Sequence, residues 1–148
     1  MPSRRAFLCT AAGIGCALAV PPARATPAAL KDAIRSVIGE AKVTPGKVKL
    51  DLPPYSESGH AVPLTVRVDH PMTTGDHVKA IHVFAEKNPQ PYILNAYLGP
   101  RAGRAVITTR VRLANTQTVT AIAQLSDGSC WSGTADVVVT LAACLEEL

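Results

Sequence analysis

The chain has 148 residues, 47% of them hydrophobic and 18% charged, enough for one domain with its own core and too apolar for a disordered chain. Its formal charge of +4 is shared with a leader. Without Arg4, Arg5 and Arg24 the remaining 12 basic residues face 11 acidic ones, which leaves no basic field for nucleic acid.

Residues 1–25 carry the signs of an export signal. Arg4-Arg5 precede Phe7-Leu8, an apolar run extends from Cys9 to Val20, and Ala23-Arg24-Ala25 supplies a small-x-small cleavage pattern. The paired arginines point to the twin-arginine route. The apolar run is shorter than the roughly 18 to 20 residues needed to span a bilayer, so cleavage before Thr26 and a periplasmic address are expected. Gly13-Ile14-Gly15-Cys16 only weakly matches a lipoprotein processing site, because Gly13 stands where a Leu-like residue belongs. Twin-arginine export favours folded cargo, so a partner assembled before export is expected.

The next segment, 26–44, is expected to hold a short amphipathic helix from Ala28 to Lys42. Thr26 caps it and Pro27 suits its first turn. Leu30, Ile34, Val37, Ile38 and Ala41 share one face, and Thr44-Pro45-Gly46 is the expected stop. So short a helix is marginal alone, and its stripe must dock on the domain that follows or on a partner.

From 45 to 141 the pattern is one of strands. Val48, Leu50 and Leu52 alternate with polar residues until Pro53-Pro54, and Glu57 to His60 is expected as a loop. Val62, Leu64, Val66 and Val68 alternate cleanly, and His70 to Gly75 forms a second loop. Further strands are expected at His77–Glu86, Tyr92–Leu98, Ala105–Leu113, Thr118–Leu125 and Cys130–Leu141, separated by Asn88-Pro89, Gly99-Pro100, Ala114-Asn115 and Asp127-Gly128. About seven short strands without intervening helices predict an all-β, antiparallel sandwich of immunoglobulin-like architecture. In the last strand Val137, Val139 and Leu141 are expected to face the core. Outward-facing Val106 and Val138 join the helix stripe as candidate interface positions.

Residues 142–148 follow as a short arm, Ala142-Ala143-Cys144-Leu145-Glu146-Glu147-Leu148. Termini outside a sheet are usually mobile, so Cys144 is expected to be accessible. The plainer reading is a frayed tail with an incidental cysteine. After leader removal Cys144 and Cys130 remain. An intervening strand at about 3.3 Å per residue holds them much farther apart than the roughly 7 Å between α-carbons that a disulfide allows. Cys130, next to Trp131, is expected as a buried thiol acting as a small hydrophobe.

Cys144 has features of a covalent carrier site: small neighbours in Ala142 and Ala143, and freedom to enter a partner. Glu146 and Glu147 disfavour the thiolate, so the thiol is expected to be sluggish until a partner enzyme activates it. A carrier tolerates that; an oxidation sensor does not. His60, His70, His77 and His82 lack a tight ligand spacing and are expected as ordinary polar histidines, although the loop between His70 and His77 leaves them free to converge with Asp69 or Asp76. The mature segment has no nucleophile elbow, redox Cys pair, phosphate loop or cofactor motif, and no cofactor or metal is expected.

The stretches Asp76-His-Val-Lys-Ala-Ile-His-Val-Phe-Ala-Glu-Lys-Asn-Pro-Gln-Pro91, Leu98-Gly-Pro-Arg-Ala-Gly103 and Gln117-Thr-Val-Thr-Ala-Ile-Ala-Gln-Leu-Ser-Asp-Gly128 resemble the SoxY family, the carrier subunits of thiosulfate oxidation. The resemblance implies an immunoglobulin-like sandwich paired with a SoxZ-like subunit, acting with periplasmic sulfur-oxidation or related redox enzymes. It also implies that sulfur intermediates are held covalently on a cysteine in a Gly-Gly-Cys-Gly-Gly arm. Only Cys144 matches that cysteine. Ala142, Ala143, Leu145 and Glu146 stand where the family has glycines, which makes this arm stiffer and negatively charged. The arm is similar to that of a SoxY-related group ending in an Ala-Ala-Cys-Ile-Glu type of sequence. Two other readings stand beside the carrier: a docking module whose arm binds through Leu145 and Leu148 without cargo, and a metal or redox enzyme.

Overall fold

The computed structural model describes residues 25–141. The helix α1, Pro27–Ile38, is capped by Thr26, whose side chain accepts a hydrogen bond from the Ala29 N–H at 3.1 Å. It ends four residues earlier than the sequence predicts. Gly39 adopts a φ of +64°, and its N–H bonds the Arg35 carbonyl, closing the helix before Ala41 can join the stripe.

Among the described residues nine strands follow: β1 (Val43–Pro45), β2 (Val48–Asp51), β3 (Tyr55–Ser58), β4 (Val62–Val68), β5 (Val78–Ala85), β6 (Tyr92–Tyr97), β7 (Val106–Val111), β8 (Gln117–Leu125) and β9 (Cys130–Leu141). They form an immunoglobulin-like sandwich. The larger sheet runs β1-β9-β8-β5-β6, with β3 also on β9, and the smaller runs β2-β4-β7. Two strands occupy segments the sequence placed elsewhere. Thr44-Pro45, expected as a helix stop, belongs to β1, and Glu57-Ser58, expected as loop, belongs to β3. Both pair parallel with the same edge of β9, β1 at Val43↔Cys130 and β3 at Tyr55↔Val138, while the other paired strands are antiparallel.

Between those two contacts the chain crosses to the smaller sheet as β2. It passes so close over β9 that a Cβ at Gly133 would run into the Val48 carbonyl oxygen and crowd Leu50. Gly133 is therefore demanded by close approach.

The main core lies between the sheets. Val62, Leu64, Val66 and Val68 of β4 face it with the alternation their sequence predicts, meeting Val78, Ile81, Val83, Val119, Val137 and Val139. A second core lies outside the larger sheet. There Leu30, Ile34, Val37 and Ile38 of α1 pack against Phe84, Ile122, Cys130 and Tyr92. The helix stripe is thus covered by its own domain. Seven of the eight residues of β5 are buried, because one face meets the main core and the other meets α1.

Candidate functional site: the end of the last strand

β9 delivers the chain to the arm, and its final residues are held from both sides. The Val138 N–H donates to the Pro54 carbonyl at 2.9 Å, and the Gly59 N–H donates to the Leu141 carbonyl at 2.9 Å. The Thr140 hydroxyl donates to the Glu57 carbonyl at 2.9 Å. On the other side the Thr116 hydroxyl lies 3.0 Å from the Val139 N–H and 3.3 Å from the Val139 carbonyl. Main-chain bonds of this kind satisfy an edge and fix its direction. The strand is a pinned base as far as Leu141.

Leu141 itself departs from expectation. It is 66% exposed, whereas Val137 and Val139 are buried. Period two predicts the side on which a residue lies, and none of the described residues covers that side at Leu141. Val138 is exposed on the opposite face, as expected for an outward position. Val106, the other such candidate, is half-buried beside Lys49, Arg67 and Arg104. Cys144 and its neighbours Ala142, Ala143, Leu145 and Glu146 lie outside the described residues.

The beginning of β9 has the opposite character. Cys130 is 2% exposed, under α1 and against Phe84 and Ile122. Burial pushes its thiol up from the ordinary value, only partly offset by a hydrogen bond from Gln124, and the Asp127 charge adds to the rise. A buried thiol so disposed is a poor nucleophile and a good hydrophobe.

Beside it lies a polar chain that sequence reasoning did not find. His82 is 2% exposed, with Nδ1 2.9 Å from the Tyr92 hydroxyl and Nε2 3.3 Å from Gln124 Oε1. An amide oxygen only accepts, so Nε2 carries the proton and Nδ1 accepts from Tyr92. Desolvation lowers the His82 pKa, and the Gln124 bond partly opposes it. Burial likewise raises that of Tyr92. A polar chain on the outer face of a strand gives no periodic signal, because His82, Tyr92 and Gln124 come from three different strands.

The other histidines do not form a centre. His70 accepts from the Met72 N–H at Nδ1 and bonds Asp76 through Nε2 at 3.2 Å. Thus His70 meets Asp76, whereas the His77 N–H bonds Ser126 and its buried Nδ1 has no partner among the described residues. No group of three His, Cys, Asp or Glu suited to a metal occurs among the described residues.

The sandwich defines an immunoglobulin-like domain, and comparison with known proteins specifies which kind. The solved structure of the sulfur carrier protein SoxY from Chlorobium limicola f thiosulfatophilum superposes with a TM-score of 0.66 at 25% identity, covering 78% of this chain and 100% of that one. A superoxide reductase (neelaredoxin) from Ignicoccus hospitalis superposes at 0.57 and 15% identity, covering 64% and 80%. One from Nanoarchaeum equitans does so at 0.54 and 12%, covering 65% and 100%. Those two show the fold alone. A search of curated proteins finds no matching relative.

The family described as sulfur oxidation protein SoxY matches residues 34–144, and this chain belongs to that family. Its class is accordingly that of a sulfur carrier, which is not a catalyst in its own right and acts with partner proteins.

Proposed function

We propose that the chain is an exported, periplasmic SoxY-like carrier that holds a sulfur-containing intermediate on Cys144, pairs with a SoxZ-like subunit, and presents the cargo to sulfur-oxidation or related redox enzymes. The observation that carries this reading is the extent of the family match, which runs through β9 and includes Cys144. The pinned end of β9 supports it, since a carrier needs a fixed base from which a short segment reaches out. In this reading residues 1–25 are the twin-arginine leader, 26–44 the helical segment, 45–141 the sandwich, and 142–148 the arm.

Loading has a definite electron balance. Joining the Cys144 thiol to a sulfur anion as an Sγ–S bond releases the thiol proton and two electrons. An oxidising partner enzyme must take up those electrons. Negative charge at the neighbouring Glu146 and Glu147 disfavours the thiolate, which makes loading depend on that partner and limits stray oxidation. The arm's alanines, leucine and acids replace the family's glycines, so the partners of this chain are those with a mouth wide enough for Leu145 and tolerant of negative charge.

The test is a Cys144→Ser chain returned to a strain lacking the wild-type gene. The carrier reading predicts complete loss of oxidation of reduced sulfur with the SoxZ-like subunit still co-purifying. Retained oxidation would favour the arm as a docking element without cargo.

A further inference from the structure

Among the described residues four large hydrophobic side chains are exposed: Tyr55 at 54%, Val138 at 47%, Leu141 at 66% and Tyr97 at 77%. Three of the four surround the place where β9 hands over to the arm. Tyr55 and Val138 are direct register partners in the β3–β9 pair and share its outward face, and Leu141 closes the same ladder opposite Ser58 on the other face, so the strand end is flanked by apolar side chains on both sides. Tyr97, at the end of β6, lies on the opposite edge of the sheet.

The sandwich does not require this cluster. On the same outward side of β9 the exposed neighbours are polar, Thr134, Asp136 and Thr140, and Val138 interrupts the series. An apolar pair set directly across an exposed ladder costs solubility at an edge that proteins usually blunt with charge. It is also held rigidly by the bonds from Pro54, Glu57, Gly59 and Thr116, so a partner seated on it orders little that is not already ordered.

Chain length then states what must seat there. Cys144 follows Leu141 by three residues, and an extended chain spans at most about 3.3 to 3.6 Å per residue. The Cys144 backbone therefore reaches no more than roughly 10 to 11 Å beyond Leu141. An enzyme that acts on Sγ cannot hold its reactive atom deeper than that, plus one short side chain, without pressing its surface onto the strand end. We propose that Tyr55, Val138 and Leu141 form an apolar collar on which the enzyme that loads Cys144 seats the rim of its active-site mouth. The partner's complementary feature is an apolar rim about 10 Å from the atom that reacts with Sγ. The exposed Glu57, His60 and Thr140 beside the collar supply the polar border such contacts usually have. This proposal rests on the carrier reading of Cys144.

The test replaces Tyr55 and Val138 by Thr, which keeps a strand-compatible side chain and removes most of the apolar surface. Cells are supplied with thiosulfate, the protein is isolated without reductant, and the fraction of Cys144 carrying an added mass is followed with time. The collar predicts loading slowed about tenfold or more, as for loss of an aromatic anchor from an interface. The melting temperature and the reaction of Cys144 with a small aromatic disulfide stay as in the wild type. Val138→Thr alone, the milder change, slows loading in the same direction, and Tyr97→Thr leaves it unchanged. Equal loading of wild type and Y55T/V138T overturns the collar while the carrier reading stands. Equal slowing by Tyr97→Thr also overturns it, because the effect would not be local. A wild-type protein that never carries added mass overturns the carrier reading and the collar together.

Discussion

The two ends of β9 are built in opposite ways. At its start Cys130 lies under α1, bonded to Gln124 and pressed against Phe84 and Ile122, with its thiol held protonated by burial. At its finish the same strand is pinned by backbone bonds and runs out to an exposed Leu141, three residues before Cys144 in the sequence. The twelve-residue strand begins at a thiol that packs and ends three residues before the one that the carrier reading assigns to cargo. Cover and chain exit make the difference between the two ends.

The largest expected effect breaks that contrast outright. Cys144→Ser abolishes covalent loading, whereas Cys130→Ala leaves it intact, read as added mass on protein isolated without reductant. Next in size is thiol reactivity. Pulsed alkylation at neutral pH labels Cys144 at least about 100-fold faster than Cys130, because Cys130 reacts only in molecules that have opened. Comparable labelling of both in the folded protein would remove the structural basis of the contrast.

Two further variants sharpen it through stability. Gly133→Ala drives a Cβ into the Val48 carbonyl, where backbone rather than a flexible side chain must yield. It is expected to cost about 2 to 4 kcal/mol in denaturant unfolding. Cys130→Ala removes a buried sulfur from the second core and is expected to cost about 1 to 2 kcal/mol, with loading of Cys144 unaffected.

The smallest effect is a pH dependence. His82 has a folded-state pKa below its unfolded value of about 6.5. Between those two values the unfolded chain binds more protons than the folded one, so stability is fully present above about pH 6.5 and falls as the pH drops through it. His82→Gln, which keeps a hydrogen-bonding side chain, is expected to flatten the part of the melting-temperature decline between pH 7.5 and 5.5 that belongs to this group. An unchanged decline would show that His82 does not titrate on unfolding.

What the sequence disclosed follows from which signals are local. The strict alternation of Val62 to Val68 predicts β4 and its buried face, and the pattern around Leu30, Ile34 and Ile38 predicts a helix that must dock. The same reasoning overran the helix, because Ala41 fits the stripe while the positive φ at Gly39 ends it. β1 and β3 escaped because each is three or four residues long, and their strand character comes from pairing with β9, about 85 residues away. A local pattern holds no trace of such a partner. The same limit applies to the site. Cys144 was legible from its surroundings in sequence and from the family resemblance, and Cys130 was legible as a packed thiol. The Tyr55–Val138 pair and the His82–Gln124–Cys130 neighbourhood exist only once separate strands are brought into register.

The measurement that tests the account most directly is peptide-resolved mass analysis of both cysteines in protein taken unreduced from the periplasm of cells oxidising reduced sulfur. The account predicts sulfur-containing mass on Cys144 and a free thiol at Cys130. Added mass on Cys130, or on neither cysteine in a protein purified with its partner subunit, would contradict it.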